Sequence, residues 1–158
     1  MSSSFRSENT KRVSAFLRGG GIYLQATSET TAGVWIGTGP VAVIDRQAEG
    51  LGLAILTSLG FSISPVRHPG QKEWQAVQAP LLDAADVKTW LTFAKHAKQV
   101  GISQSGSEIK LEPSSFQADR SWFKPIVERE MKCACDEHSL AAGLIAAFDR
   151  STGHEDLH

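Results

Sequence analysis

The sequence predicts an α+β domain in which an antiparallel sheet packs against about three helices. Short apolar or β-branched runs separated by glycine-rich turns fill the first third of the chain, which is typical of an antiparallel meander. Longer segments with apolar residues at helical spacing follow. With 158 residues, 41% of them hydrophobic and 21% charged, the chain has the size and composition of one domain. We expect that domain over residues 12–151, with flexible ends at 1–11 and 152–158.

Four strands are expected at the start of the domain. Their separators are Gly19-Gly20-Gly21, the polar stretch 27–31 and Gly37-Thr38-Gly39-Pro40, all of which favour turns. The four runs are Val13–Leu17, Ile22–Ala26, Ala32–Ile36 and Val41–Ile44.

Three helices are expected after these strands. Leu51–Leu59 carries one apolar stripe and is followed by Gly60, a residue that commonly ends helices. The second helix is predicted over Asp83–Gln99, and the third over Asp136–Arg150. A further strand is predicted over Glu73–Gln78.

The region between the last two helices divides into a hairpin and an irregular segment. Ser105-Gly106-Ser107 lies between two strand-like runs and predicts a tight turn. Residues 113–135 contain Pro113 and Pro125, which interrupt regular patterns. We expect this segment to be packed but irregular.

One weak internal similarity joins two predicted helices. Leu51–Ser62 and Leu140–Ser151 have apolar residues at the same offsets and end in serine. Any two amphipathic helices share part of such a pattern, so coincidence is an alternative to a tandem repeat.

Charge and composition narrow the class of function. The formal net charge is −1, and sequence-independent nucleic-acid binding requires a basic surface. Residues 1–80 hold seven basic and five acidic side chains, whereas residues 81–158 hold nine and twelve. Met1–Arg6 lacks the apolar segment of a secretory signal, and no apolar run is long enough to span a membrane. We therefore expect a cytoplasmic protein without direct nucleic-acid or membrane contacts.

No complete catalytic or cofactor motif is present, so we expect a protein that is not an enzyme and holds no cofactor. Cys133, Cys135 and His138 could supply zinc ligands, but the spacing is unusual and the alternative is three structural residues before a helix. His68 with a carboxylate such as Asp45 would be the acid–base pair if the chain were a small enzyme. A structural or adaptor subunit, including a homodimer, is a further alternative.

Trp122 is the aromatic residue best suited to an exposed binding position. It follows Asp119 and Arg120 and precedes Lys124 by two residues. Aromatic side chains among charges are typical of protein–protein hot spots. The alternative is that Trp122, like the other three tryptophans, belongs to the core.

Several short segments resemble the immunity proteins of bacterial contact-dependent growth inhibition systems. These are the two similar helices with Ser62 and Ser151, the segment Val87–Ala97, Pro65–Pro69, and the hairpin ending at Glu112-Pro113. The resemblance spans residues 12–151. It implies a cytoplasmic protein that binds the C-terminal toxin domain of a large exported protein and occludes its active site without a cofactor.

The resemblance also implies the chemistry of the partner. Many such toxins are nucleases, which carry positive potential to hold nucleic acid. Carboxylates on an inhibitor would exploit that potential. We therefore expect the toxin contact in the acidic second half of the chain. The candidate residues are Asp119, Trp122, Glu128, Glu130, Asp136, Glu137 and Asp149.

Overall fold

The structure, a computed structural model, describes residues 10–46 and 49–154. In these residues seven strands and four helices confirm the α+β class. The strands are β1 (Thr10–Arg18), β2 (Gly21–Glu29), β3 (Trp35–Asp45), β4 (Ala97–Ser105), β5 (Glu108–Gln117), β6 (Trp122–Pro125) and β7 (Met131–Ala134). The helices are α1 (Leu51–Leu59), α2 (Trp74–Ala84), α3 (Trp90–Ala94) and α4 (Glu137–Asp149), with a 3-10 turn at Val127–Arg129.

The ends of the domain differ in detail from the expected bounds. Strand β1 begins at Thr10, which pairs with Ser105, and Thr152 forms a bridge with Ser115. Both pairings lie in stretches that the sequence predicts to be flexible. The rest of those stretches, 1–9 and 155–158, falls outside the described residues.

The sheet is antiparallel, in the order β3-β2-β1-β4-β5-β6, and β7 also pairs with β5. Helices α1 and α4 cover one face, where Val13, Leu24 and Ile102 join the larger core. Helices α2 and α3 lie against the other face, where Phe16 and Phe93 belong to a smaller aromatic core. Alternate residues of each strand therefore serve two different cores.

Two predicted strands, Ala32–Ile36 and Val41–Ile44, are not separate strands. Trp35 and Ile36 of the first and all of the second lie in β3, whereas residues 32–34 precede it. The pairing of β2 with β3 shifts register between Gln25 and Thr27, and Gly39 adopts a left-handed conformation with φ of 76°. The glycine-rich stretch is thus a bulge that bends the strand instead of ending it.

The prediction of a strand at Glu73–Gln78 is wrong, because the chain forms α2 there. Six residues are too few for their alternation to separate strand from helix. The predicted helix Asp83–Gln99 is also wrong over most of its length. Asp86 has a positive φ of 56°, Thr89 caps the short α3 by accepting a hydrogen bond from Thr92 N, and the following residues enter β4.

The segment 113–135 is more regular than the sequence predicts. Pro113 lies within β5, between the stretch that pairs with β7 and the stretch that pairs with β6. A proline has no N–H to donate to a ladder. Its position therefore coincides with the break that separates the two outer strands.

The strands and helices form two units of similar topology, and the two similar helices lie at corresponding points of them. In the first hairpin Val13 pairs with Ala26, and 87 positions later Val100 pairs with Pro113. The turn glycines Gly19 and Gly106 have the same separation and φ values of 60° and 62°. The third strand and the helix follow in both units. We call β1-β2-β3-α1 the first unit and β4-β5-β6-β7-α4 the second.

The two units meet through β1 and β4 around a local twofold axis. Ser14 pairs with Gly101, its own counterpart 87 positions later, and the pairs on either side are reciprocal. Val13 pairs with Ile102, and Ala15 pairs with Val100. A contact in which equivalent positions exchange partners is the geometry of an isologous interface.

The serine that closes each unit links its helix to its hairpin. Ser62 Oγ accepts a hydrogen bond from Arg12 N and donates one to Thr27 O. Ser151 Oγ accepts from Ser114 N and donates to Gln99 O. In both units the hydroxyl stands between two adjacent strands and takes the place of a ladder hydrogen bond.

Candidate protein-binding surfaces

Three of the seven candidate toxin-binding residues, Trp122, Glu128 and Glu130, lie along one outer edge of the sheet, formed by β6, the 3-10 turn and β7. We call it the β6–β7 edge. Asp119 lies in the turn that precedes β6. Trp122 pairs with Gln117 at one end of β5, and Ala134 pairs with Glu108 at the other. Nine strand residues separate these ends, a distance of about 30 Å. The candidates therefore form an extended margin and not a compact cluster.

Asp136 and Asp149 lie at opposite ends of α4. Asp136 is its N-cap and Asp149 its last residue, so about 20 Å of helix separates them. Asp149 approaches Arg46 of the first unit, with 3.8 Å between Oδ1 and Nη2. The structure thus places Asp149 away from the β6–β7 edge, whereas Asp136 and Glu137 lie just beyond its end.

The carboxylate of Asp136 is held by local hydrogen bonds. It accepts one from Ser139 N at 2.8 Å and one from Ser139 Oγ at 3.0 Å. These bonds lower the pKa of Asp136 below its ordinary value. Its position is that of a helix cap, so a structural role accounts for it without a partner.

Charges of both signs alternate along the β6–β7 edge. Glu128 and Glu130 flank Arg129, which donates a hydrogen bond to Arg150 O at 2.8 Å. Glu130 approaches Lys110, with 3.8 Å between their charged atoms. Glu128 is exposed. The edge therefore carries alternating positive and negative charges. Among its carboxylates, Glu128 is the best placed to contact a partner.

Trp122 is an exposed aromatic residue on a rigid support. Its side chain is 56% exposed and lies 5.3 Å, between ring centroids, from Trp90. The indole N–H of Trp90 donates to Ser121 O at 2.7 Å, and Ser121 has a φ of 51°. Phe93 stacks against Trp90 with 5.8 Å between their ring centroids. A large apolar ring is thus presented to solvent with little conformational freedom to lose.

The first unit presents a different surface, which the sequence interpretation missed. Leu53 and Ile63 are 56% and 61% exposed, and a groove of about 320 Å³ runs between β3 and α1. None of the described residues that line it carries a charged side chain. Its walls are Pro40, Val41, Ala42, Gly50, Leu53, Ala54, Thr57, Ser58 and Phe61. The sequence carries a signal for this surface, because Leu53 lies off the buried stripe of its helix and Phe61 and Ile63 follow the glycine that ends it.

The cysteines resemble structural residues more than metal ligands. Cys133 and Cys135 are half-buried beside the larger core, and Gln104 Nε2 lies 3.4 Å from Cys135 Sγ. Burial raises the pKa of the Cys133 thiol, as do Asp136 and Cys135, whereas metal binding requires the thiolate. Within residues 10–46 and 49–154, no group of three or more His, Cys, Asp or Glu side chains is arranged to hold a metal.

The acid–base pair considered for an enzyme is not brought together. His68 Nδ1 lies 2.9 Å from Thr30 Oγ1, just beyond one end of β2. Asp45 pairs with Gly21 at the other end, about 27 Å away along the strand. Thr30 Oγ1 also accepts hydrogen bonds from Ala32 N and Val34 N. This arrangement fixes a turn and does not prepare a nucleophile.

Among the described residues, no helix is both long and apolar enough to cross a membrane.

Comparisons with known proteins give structural but not sequence matches. No family model and no curated protein sequence matches the chain. The fold is similar to that of a protein of unknown function from Neisseria meningitidis, with a TM-score of 0.73 and 16% identity over 96% of this chain and 99% of the other. It is also similar to a chain of a CdiA-CT/CdiI toxin and immunity complex from Yersinia pseudotuberculosis, with a TM-score of 0.69 and 14% identity over 90% and 98%.

Proposed function

We propose that this protein is an immunity protein that binds and neutralises a cognate toxin domain. The observation that carries the proposal is the similarity to a chain of a toxin and immunity complex, which extends over nearly the whole of both chains. At 14% identity this likeness concerns the fold. The sequence segments that resemble growth-inhibition immunity proteins support the same assignment independently.

Neutralisation of this kind requires binding and no chemistry. The toxin would be the C-terminal domain of a large exported protein, with nuclease activity as the expected class, and the immunity protein would block its active site in the cytoplasm. Such a role needs neither a cofactor nor a catalytic group. The arrangement of His68 and Asp45 at opposite ends of β2 agrees with it.

The β6–β7 edge is the proposed contact surface. Trp122 supplies an exposed, supported aromatic anchor, and Glu128 supplies negative charge toward a partner whose substrate is anionic. The interleaved basic residues Lys124, Arg129 and Lys132 limit the overall negative field. Specificity for one toxin would then depend on the order of the charges along the edge and not on its net charge.

The first experiment identifies the partner. The gene beside that of an immunity protein is expected to encode a large exported protein, whose C-terminal domain can be produced together with this chain. We expect a stable complex in gel filtration and survival of cells that express both. The proposal fails if the purified toxin domain neither binds this chain nor is inhibited by it.

The second experiment tests the surface. Trp122→Ala is expected to weaken binding by roughly 30-fold or more, as for a central hot-spot aromatic. Glu128→Lys should slow association several-fold at low salt and less at high salt. Glu49→Lys, the same charge change at an exposed turn of the first unit, is the matched control. Equal effects of Glu128→Lys and Glu49→Lys would reject this edge as the contact while leaving the immunity role intact.

A further inference from the structure

A pocket of about 340 Å³ opens where the first hairpin turn meets the end of the chain. Four of the nine described residues that line it carry basic or imidazole side chains, and none of these nine carries a carboxylate. Asp149 Oδ1 lies 3.8 Å from Arg46 Nη2. The lining residues are Leu17, Gly19, Gly20, Arg46, His96, Ala97, Lys98, Gly153 and His154. We call it the turn pocket. It is separate from the β6–β7 edge and from the β3–α1 groove.

The basic groups of the turn pocket come from separate parts of the chain. Arg46 follows β3, His96 directly precedes β4, Lys98 lies near the start of β4, and His154 follows the serine that closes the second unit. Arg46 N donates to Gly20 O at 3.0 Å, which fixes this wall against the hairpin turn. His96, Lys98 and His154 make further contacts within the chain, so the fold holds these side chains at the pocket and a ligand would add to, or compete with, those contacts.

The corner at the second hairpin turn has different contacts. The counterparts of Leu17 and Gly19 in the second unit are Gln104 and Gly106. There Gln104 Nε2 donates to Gly106 O at 3.1 Å and lies 3.4 Å from Cys135 Sγ, and Lys11, the counterpart of Lys98, donates to Ser62 O at 3.1 Å. The two units share the hairpin register, but the basic side chains of the turn pocket come from both units, since Arg46 follows β3 of the first and Lys98 belongs to β4 of the second.

The chemistry of the lining selects the ligand. An arginine fork, a lysine and two imidazoles are donors to oxyanions, and arginine in particular binds phosphate oxygens through paired N–H groups. Gly19 and Gly20 both have positive φ, and no neighbouring atom lies within 4 Å of the position that a β-carbon would take on either residue. The backbone of the turn is therefore accessible to a ligand. We propose that the turn pocket binds the phosphate group of a small anionic ligand.

The test uses inorganic phosphate as the probe, on the full-length chain. Phosphate is titrated against chloride at constant ionic strength, with the amide resonances of Gly19, Gly20 and Gly153 followed by NMR. We expect saturable shifts confined to the turn pocket and a higher melting temperature in phosphate, since a ligand that binds only the folded state stabilises it. Absence of saturable shifts would overturn the proposal.

Two variants assign the binding to named side chains. Arg46→Gln and Lys98→Gln should each weaken phosphate binding by roughly tenfold, the effect of one charge-assisted hydrogen bond. Lys132→Gln, an exposed lysine of the second unit, is the matched control and should leave binding unchanged. Equal losses in all three variants would show a general charge effect and reject a site.

Two further outcomes distinguish phosphate from other anions. Acetate at the same ionic strength should bind at least tenfold more weakly, as judged from the same resonances, because it makes about one fewer charge-assisted hydrogen bond. Equal affinities for acetate and phosphate would reject phosphate as the selected class. Glu155 and Asp156 follow His154 directly in the sequence. Phosphate binding that appears only when both are replaced by Gln and Asn would assign the pocket to the chain's own carboxylates and overturn the proposal. Neither result bears on the immunity role.

Discussion

The two units of the molecule share their inner parts and differ at their outer strands. Both hairpins have the same register, both helices bury leucines at equivalent positions, Leu51 and Leu140, and both close with a bridging serine. The third strand diverges. In the first unit it is one bulged strand with a single charged residue over 35–45, whereas residues 122–134 of the second unit hold five charges and are divided between two short strands.

This difference separates the requirements of folding from those of recognition. The shared positions face the core or the junction between β1 and β4, where a change of volume or a lost hydrogen bond costs stability. The divergent positions face solvent at the two free edges of the described sheet. One edge is apolar and the other is charged and aromatic. Under the proposed function, partner binding would involve the outer strands, and the common framework would serve folding.

The largest expected effect tests the helix junction. Gly52 of α1 lies against the backbone of α4, and a β-carbon there would overlap the carbonyl oxygen of Glu137. Gly52→Ala should destabilise the protein by about 3 kcal/mol or more, because backbone cannot move aside locally. Gly143→Ala in α4 is the comparison. Its β-carbon would lie 2.8 Å from Leu111 Cδ1, the end of a flexible side chain, so about 1 kcal/mol is expected. Urea unfolding measures both, and equal losses would contradict the asymmetry.

The bridging serines should rank next. Ser62→Ala leaves both Arg12 N and Thr27 O without their hydrogen-bond partner and should cost about 2–4 kcal/mol. Ser151→Ala leaves Ser114 N unpaired, but Gln99 O still accepts from Ser114 Oγ at 2.7 Å, so about 1–3 kcal/mol is expected. The free energies of unfolding decide the order. A larger loss for Ser151→Ala than for Ser62→Ala would contradict this order.

A small effect is expected where the outer surfaces have diverged. Leu53 of α1 and Ala142, its counterpart in α4, are both exposed. Replacing either with lysine should change the free energy of unfolding by no more than about 0.5 kcal/mol. Thermal unfolding of the two variants measures this change. A loss above about 1.5 kcal/mol for Leu53→Lys would show that the β3–α1 groove contributes to folding.

The smallest effect concerns the segment that has no counterpart in the other unit. Glu73 accepts hydrogen bonds from Arg67 and from Gly70 N, which lowers its pKa to about 2. A lowered pKa contributes stability above the ordinary value of 4.5, and this contribution is lost as the pH falls through about 2. Carboxyl NMR should give that midpoint, and Arg67→Gln should move it upward but not fully, since Gly70 still donates. An unchanged midpoint would contradict the assigned cause.

The sequence predicts what depends on local patterns and fails where tertiary contacts decide. The Ser105-Gly106-Ser107 turn, α1 and α4 follow from glycine positions and apolar spacing, and the structure confirms them. The predictions over α2 and the start of β4 are wrong, because the apolar residues there fit the spacing of a helix as well as that of a strand. Contacts with the rest of the sheet decide which of the two forms. In the sequence the similarity of the two units is visible only in Leu51–Ser62 and Leu140–Ser151. The other equivalent positions are recognised by how their strands pair, because their residues differ.

The candidate site is predictable in part for similar reasons. The exposure of Trp122 follows from its charged neighbours, and the structure shows it. The spread of the acidic residues over about 30 Å does not, because it depends on how β6 and β7 divide the length of β5. Asp149 and the turn pocket depend on contacts between the units, which residues close in sequence do not reveal.

The reciprocal pairing of β1 with β4 has a consequence for the assembly of this fold. Because Ser14 faces its own counterpart, Gly101, the seam between the units is self-complementary. A chain that contained one unit alone would end in a free β1 edge already shaped to pair with a second copy of itself. The present molecule is then equivalent in geometry to a fused dimer, in which one half carries a charged aromatic margin and the other an apolar one.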